Sequence, residues 1–217
     1  MKLIVFSGLD SAGKSTQINL LKNFFLKKSK KSFIFWSRGG YTPGFQYLKF
    51  FLRFIFKKNI PKAGFSKERK KAFSNSVIRK LWLVVAIIDL IFFYSIYLRI
   101  KILLGYIIIC DRYIIDTLID FKIAYPDENI QKWVLWKILN FVSLTPDSHF
   151  ILAINVDESI TRSKMKNEPF PDSSEVLNVR LNTYLDYAKN NDKTDLIWCE
   201  KPLEIIHNEI INKLNVD

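Results

Sequence analysis

Cysteine is scarce in this sequence: two residues, Cys110 and Cys199, in 217. Two thiols cannot build a disulfide framework or a zinc cluster, so a reducing cytoplasm is the expected setting. The N-terminus offers only a short apolar run, Leu3 to Phe6, which is too brief for the h-region of a signal peptide. Internal repeats and linkers are also missing, so residues 1–217 are expected to form a single domain. That length suffices for one α/β core. Negative charge is in deficit, with 33 Lys and Arg against 21 Asp and Glu, a net charge of +12. Such a surplus favours an anionic partner, although a general lysine bias gives the same number. Nucleic acid is not expected as that partner, because the lysines are spread and no recognition helix or stacking platform accompanies them.

Long hydrophobic runs are absent except for one. Leu81 to Leu98 contains a single charge, Asp89, and is flanked by Lys80 and Arg99. Its length is marginal for a bilayer span. An aspartate at the midpoint is costly in lipid, and the strands before and after the run must share one sheet. A helix apolar all round is then expected in a core or a subunit interface. Residues 45–71 are basic and aromatic, with Lys49, Arg53 and Lys57 forming one stripe on a helix expected over 45–57. That pattern is compatible with an acidic membrane surface, but a solvated face over a packed helix is its commoner meaning.

The remaining pattern alternates short apolar runs with helical periodicity. Strands are expected over 2–7, 32–37, 106–110, 148–155 and 195–199. Helices are expected over 13–26, 81–105, 115–124, 130–142, 158–166, 175–190 and 203–214. This order implies an α/β fold of three layers, a five-stranded parallel sheet flanked by helices.

The first strand runs into Gly8-Leu9-Asp10-Ser11-Ala12-Gly13-Lys14-Ser15-Thr16. Gly8, Gly13, Lys14 and Ser15 match the phosphate-binding pattern G-x-x-x-x-G-K-[ST], between a strand and a helix as that motif requires. Backbone N–H groups of such a loop surround phosphate oxygens. Lys14 would place its charge on the β- and γ-phosphates of ATP, and the Ser15 hydroxyl would ligate Mg²⁺.

Several phrases together resemble the thymidylate kinase family: the loop through Gln17, Asp111-Arg112-Tyr113 after the third strand, and Val156-Asp157-Glu158 followed by Arg162. Arg180 to Ala188 and Lys201-Pro202-Leu203-Glu204 also fit. The resemblance implies a P-loop kinase fold with a short lid, here about 158–175. It also implies transfer of the ATP γ-phosphoryl group, and a homodimer through the 81–98 helix. Carried over, Asp10 would contact or orient the acceptor, and Asp111 would hold Mg²⁺ through water. Arg112 would bridge donor and acceptor phosphates, and Arg38 would grip the acceptor's own phosphate. Ser11 and Ala12 lack the loop arginine of some members, so the lid supplies the cation. Arg162 is the first candidate, with Lys164 and Lys166 beside it.

The acceptor side departs from the family. Its aromatic-Ala-Ala-Asp-Arg phrase falls on Ala86-Ile87-Ile88-Asp89-Leu90, so Asp89 persists while leucine replaces the base-reading arginine. After Tyr113 the family's Ser-Thr and Tyr-Gln become Asp116-Thr117 and Asp120-Phe121. With Asp10, Arg38, Asp89, Tyr113, Asp116 and Asp120 as the acceptor-binding set, these changes point to a hydroxyl- or amine-rich acceptor rather than thymidylate. A genuine thymidylate kinase is the alternative, and a non-catalytic nucleotide-binding switch is a third reading.

Overall fold

The computed structural model describes residues 2–37, 73–167 and 172–214. The helix expected over 45–57, the basic connector after it and Arg38 lie outside the described residues. The chain starts with β1 (Leu3–Gly8), buried along its whole length, as a central strand of a parallel sheet must be. It continues through α1 (Lys14–Lys27) and β2 (Ser32–Trp36). The long apolar segment is α2 (Ser76–Ile91), a π-helical stretch Phe92–Tyr97, and α3 (Leu98–Leu103). Next come β3 (Ile107–Asp111) and α4 (Ile114–Ala124), then α5 (Val134–Val142) and β4 (Ser148–Ala153). The chain closes with α6 (Val156–Met165), α7 (Ser174–Lys189), β5 (Thr194–Trp198) and α8 (Leu203–Lys213).

The five strands are all parallel in the order β2-β3-β1-β4-β5, flanked by helices as expected for the α/β fold. Helix α1 packs beside α8, and α4 beside α7. Ile4, Val5, Phe6, Ile108, Ile109, Phe150 and Ile151 are fully buried. Since β1 lies between β3 and β4, Phe6 sits opposite Asp111 and Gly8 opposite Leu152. The segments leaving the carboxyl ends of these three strands therefore converge at one rim, where open α/β sheets place their ligands.

The run Ser76–Leu103 is long and apolar enough to cross a bilayer by length and composition, but one side of it is core. Leu83, Ala86, Ile87, Leu90, Tyr94 and Leu98 are completely buried at helical spacing. Phe35 of β2 stacks on Phe93, and Tyr94 packs on Tyr113 with ring centroids 4.3 Å apart. The helix expected over 130–142 is broken. Ile130–Lys132 is a 3-10 turn, and Trp133 is extended at φ −70°, ψ 139°. Ile130 and Trp136 are both buried, yet an unbroken helix would put them roughly 120° apart. The break lets both reach the core.

Candidate active site

The phosphate-binding loop is held by backbone geometry. Gly8 ends β1 at φ +134°, and a Cβ there would lie 2.1 Å from the Leu152 carbonyl oxygen of β4. Only glycine lets the two strands pair so closely at this point. Ser11 and Gly13 are also left-handed, at φ 59° and 91°, turning the chain tightly over the start of α1. The first turn of α1 has no acidic residue, so its exposed amide groups keep their positive potential for an anion. Ala12 is buried, while Ser15 and Thr16 are exposed on that turn. Lys14 lies back along the loop, donating from Nζ to Gly8 O (2.9 Å) and Leu9 O (2.6 Å). Burial lowers its pKa to about 8, and the nearby Arg112 guanidinium pushes the same way.

The end of β3 supplies the next groups. Arg112 sits in the left-handed region at φ 77°, with its N–H donating to Phe6 O at 2.8 Å. Its guanidinium pairs with Asp10 through Nη2 and lies 3.9 Å from Asp116 through Nη1. Burial disfavours the charge on Arg112, but Asp10 and the other acidic neighbours more than offset this and raise its pKa. Asp111 carries a buried Oδ1 with no hydrogen-bond partner among the described residues. Burial pushes its carboxyl pKa upward, against the pull of Lys14 and Arg112. A buried carboxylate oxygen without a hydrogen-bond partner at the end of β3, with the exposed Ser15 hydroxyl on the loop that leaves the neighbouring strand β1, is a donor set that suits Mg²⁺.

Helix α6, in the segment expected as the lid, rests on the loop through serines. Ser159 Oγ donates to Asp10 O at 2.8 Å, and Ser163 Oγ to Ser11 Oγ at 3.1 Å. Arg162 faces elsewhere, donating to Glu158 (2.7 Å) and to Cys199 O (3.2 Å). Lys164 and Lys166 are exposed. Residues 168–171 of the lid lie outside the described residues.

Three of the expected acceptor residues, Tyr113, Asp116 and Asp120, are engaged within the fold. Asp116 is 1% exposed and accepts from Ser7 Oγ (2.5 Å), Tyr113 N (2.9 Å) and Tyr184 Oη (2.7 Å). Asp120 pairs with Arg180 at 2.7 Å, and Arg180 also holds Asp172. The two aspartates are four residues apart and so share one face of α4. That face is turned toward β1 and α7, and both aspartates are engaged there by Ser7, Tyr184 and Arg180. The Tyr113 hydroxyl donates to Leu144 O at 2.8 Å, again inside the fold. Asp89 is half-buried on α2, and Leu90 beside it is fully buried. Sequence reasoning missed Ser7, His149, Tyr184, Ser159 and Ser163. A serine and a histidine inside otherwise apolar buried strands were a visible signal, because a buried polar group needs a partner.

No protein-family model matches the sequence. A curated thymidylate kinase from Caldicellulosiruptor saccharolyticus is 28% identical over 169 residues, covering 76% of this chain and 70% of that relative. The chain is thus similar to thymidylate kinases over most of its length. A probable thymidylate kinase from Methanocaldococcus jannaschii is 28% identical over 107 residues, which is 49% of this chain and 53% of that one. The crystal structure of a thymidylate kinase from Ehrlichia chaffeensis superimposes with a TM-score of 0.58 at 21% identity, over 99% of this chain and 98% of the other. That last likeness establishes the thymidylate kinase-like fold.

Proposed function

We propose that this chain is a Mg-ATP-dependent nucleoside-monophosphate kinase whose acceptor is thymidylate. The observation that carries the reading is the convergence of Lys14, the amide-rich start of α1, Asp111 and the Asp10–Arg112 pair on one rim, in a chain with thymidylate kinases among its relatives. In the reaction an oxygen of the acceptor phosphate attacks the γ-phosphorus of ATP. One P–O bond forms as the bond to the β,γ-bridging oxygen breaks, leaving ADP. The attacking phosphate is already anionic, so the protein's task is positioning and charge stabilisation.

Lys14 leaves the Gly8 and Leu9 carbonyls for the β- and γ-phosphates, and that anionic partner restores its proton affinity. Arg112 spans donor and acceptor phosphates, with Asp10 holding the guanidinium between them. Arg38 grips the acceptor phosphate, and Arg162 turns from Glu158 toward the transferring group when the lid closes. Asp111, through water, and Ser15 would hold Mg²⁺, which would supply positive charge to offset that of the phosphates.

Two of the departures that spoke against thymidylate lose their force, because Asp116 and Asp120 are engaged inside the fold. Leu90 remains, and it favours a second reading in which the acceptor is a different, hydroxyl-rich phosphate ester. An acceptor panel assayed by ADP release separates the two. Thymidylate should give the highest kcat/KM, and turnover of sugar phosphates without thymidylate would install the second reading. The exposed row Leu81, Ile88, Phe92, Ile96 and Ile100 supports a homodimer along the long helix, since a patch of that extent is uncommon on a free surface.

A further inference from the structure

Asp116 stands where the family resemblance puts a serine, and the proposed chemistry has no direct use for it. A carboxylate in the core is costly unless every oxygen is engaged, and here each one is. Oδ2 takes the Ser7 hydroxyl and the Tyr113 amide, and Oδ1 takes the Tyr184 hydroxyl. Because Ser7 spends its proton on Asp116, His149 at 2.9 Å must be the donor to Ser7 Oγ through Nε2. The cluster ties β1, β4, α4 and α7 together directly beneath the loop, and Ser7 immediately precedes Gly8.

Helix capping explains only part of this arrangement. The Tyr113 amide on Oδ2 is the cap bond that Asp116 supplies, and a neutral glutamine or serine would serve it equally. What capping does not explain is the charge set 3.9 Å from Arg112 Nη1, opposite the Asp10 contact on Nη2. Arg112 is 7% exposed and sits in a backbone region that non-glycine residues rarely hold. Its guanidinium therefore lies between two carboxylates, the half-buried Asp10 and the fully buried Asp116.

We infer that Asp116 is a positioning residue: it anchors the rear of the Arg112 guanidinium and fixes the angle at which Arg112 meets the phosphates. The inference rests on the proposed role of Arg112 in phosphoryl transfer. When Asp10 turns to an acceptor, the rear anchor keeps Arg112 from following it.

The test is a double-mutant cycle of Asp116→Asn with Arg112→Ala, read by single-turnover ADP formation, plus a crystal structure of D116N. Asn keeps the size and the cap bond but removes the charge. In the wild-type background D116N should lower the rate by about 10- to 100-fold with the KM for ATP little changed. In the R112A background it should change the rate less than about two-fold, because the group it positions is gone. Equal losses in both backgrounds would reduce Asp116 to a structural role and overturn the inference. The crystal structure reads the same point without any acceptor: Arg112 should leave its place in D116N, and an unmoved guanidinium overturns the inference whatever the substrate. If D116N does not fold, Asp116→Ser takes its place in both arms. Wild-type protein that turns over no nucleoside monophosphate would instead count against the proposed function, leaving the crystallographic arm to decide on Asp116.

Discussion

Two residues carry opposite electrostatic lessons. Lys14 is buried among backbone carbonyls, with burial lowering its pKa to about 8. Its cost in the free protein is recovered only when phosphate arrives, so Lys14→Ala should leave the fold intact. The same change should reduce phosphoryl transfer by about 10²- to 10³-fold or more, read by ADP release alongside circular dichroism. His149 is held neutral because burial lowers its pKa to about 4, with Asp116 opposing and the Tyr187 ring packed on the imidazole. Its folded pKa lies below the unfolded value near 6.5, so the unfolded chain binds the proton more tightly. The stability contribution is complete above about pH 6.5 and is lost as pH falls through about 4, amounting to about 3 kcal/mol over that window. Urea midpoints between pH 7 and 4 should show this slope, and His149→Gln should flatten it. A slope unchanged by the substitution would contradict the assignment.

Among the elements, β1 and the long helix make the sharpest claims. Gly8→Ala forces a Cβ against Leu152 O, so the β1–β4 pairing must open. The cost should exceed about 1 kcal/mol in urea unfolding. On α2, Leu83 is fully buried and Leu81 is 64% exposed. Leu83→Ala should cost about 2–5 kcal/mol, whereas Leu81→Ala should cost the fold of the single subunit less than about 0.5 kcal/mol and act on dimerisation instead. Most strands were legible because buried parallel strands are short apolar runs closed by turn residues, as Tyr106 to Cys110 is before Asp111. The loop was legible because its glycines, lysine and serine are local in sequence. The direction of Asp116 and Asp120 was not, since alignment places them after Tyr113 but only packing decides which face of α4 turns inward. The π-helical stretch at 92–97 was hidden for a related reason. Leu90, Tyr94 and Leu98 keep the spacing of four that an ordinary helix also has, so the apolar pattern does not mark the wider turn between them.

On the scale of the whole molecule, one rim gathers the loop, Asp111-Arg112 and helix α6, while the long helix turns an apolar row outward. That row should make the chain a dimer in solution. Phe92, 50% exposed, is the residue to challenge, and Phe92→Glu should shift sedimentation velocity to the monomer. Sedimentation as a monomer before any substitution would contradict the dimer. The central claim is that this rim transfers the γ-phosphoryl group of ATP to thymidylate, and it is tested most directly by acceptor-dependent ADP release. Thymidylate should drive ADP formation in Mg-ATP, with neither Lys14→Ala nor Arg112→Ala protein giving comparable rates. Wild-type protein that forms no ADP with thymidylate, or Lys14→Ala protein that forms it equally fast, would contradict the account.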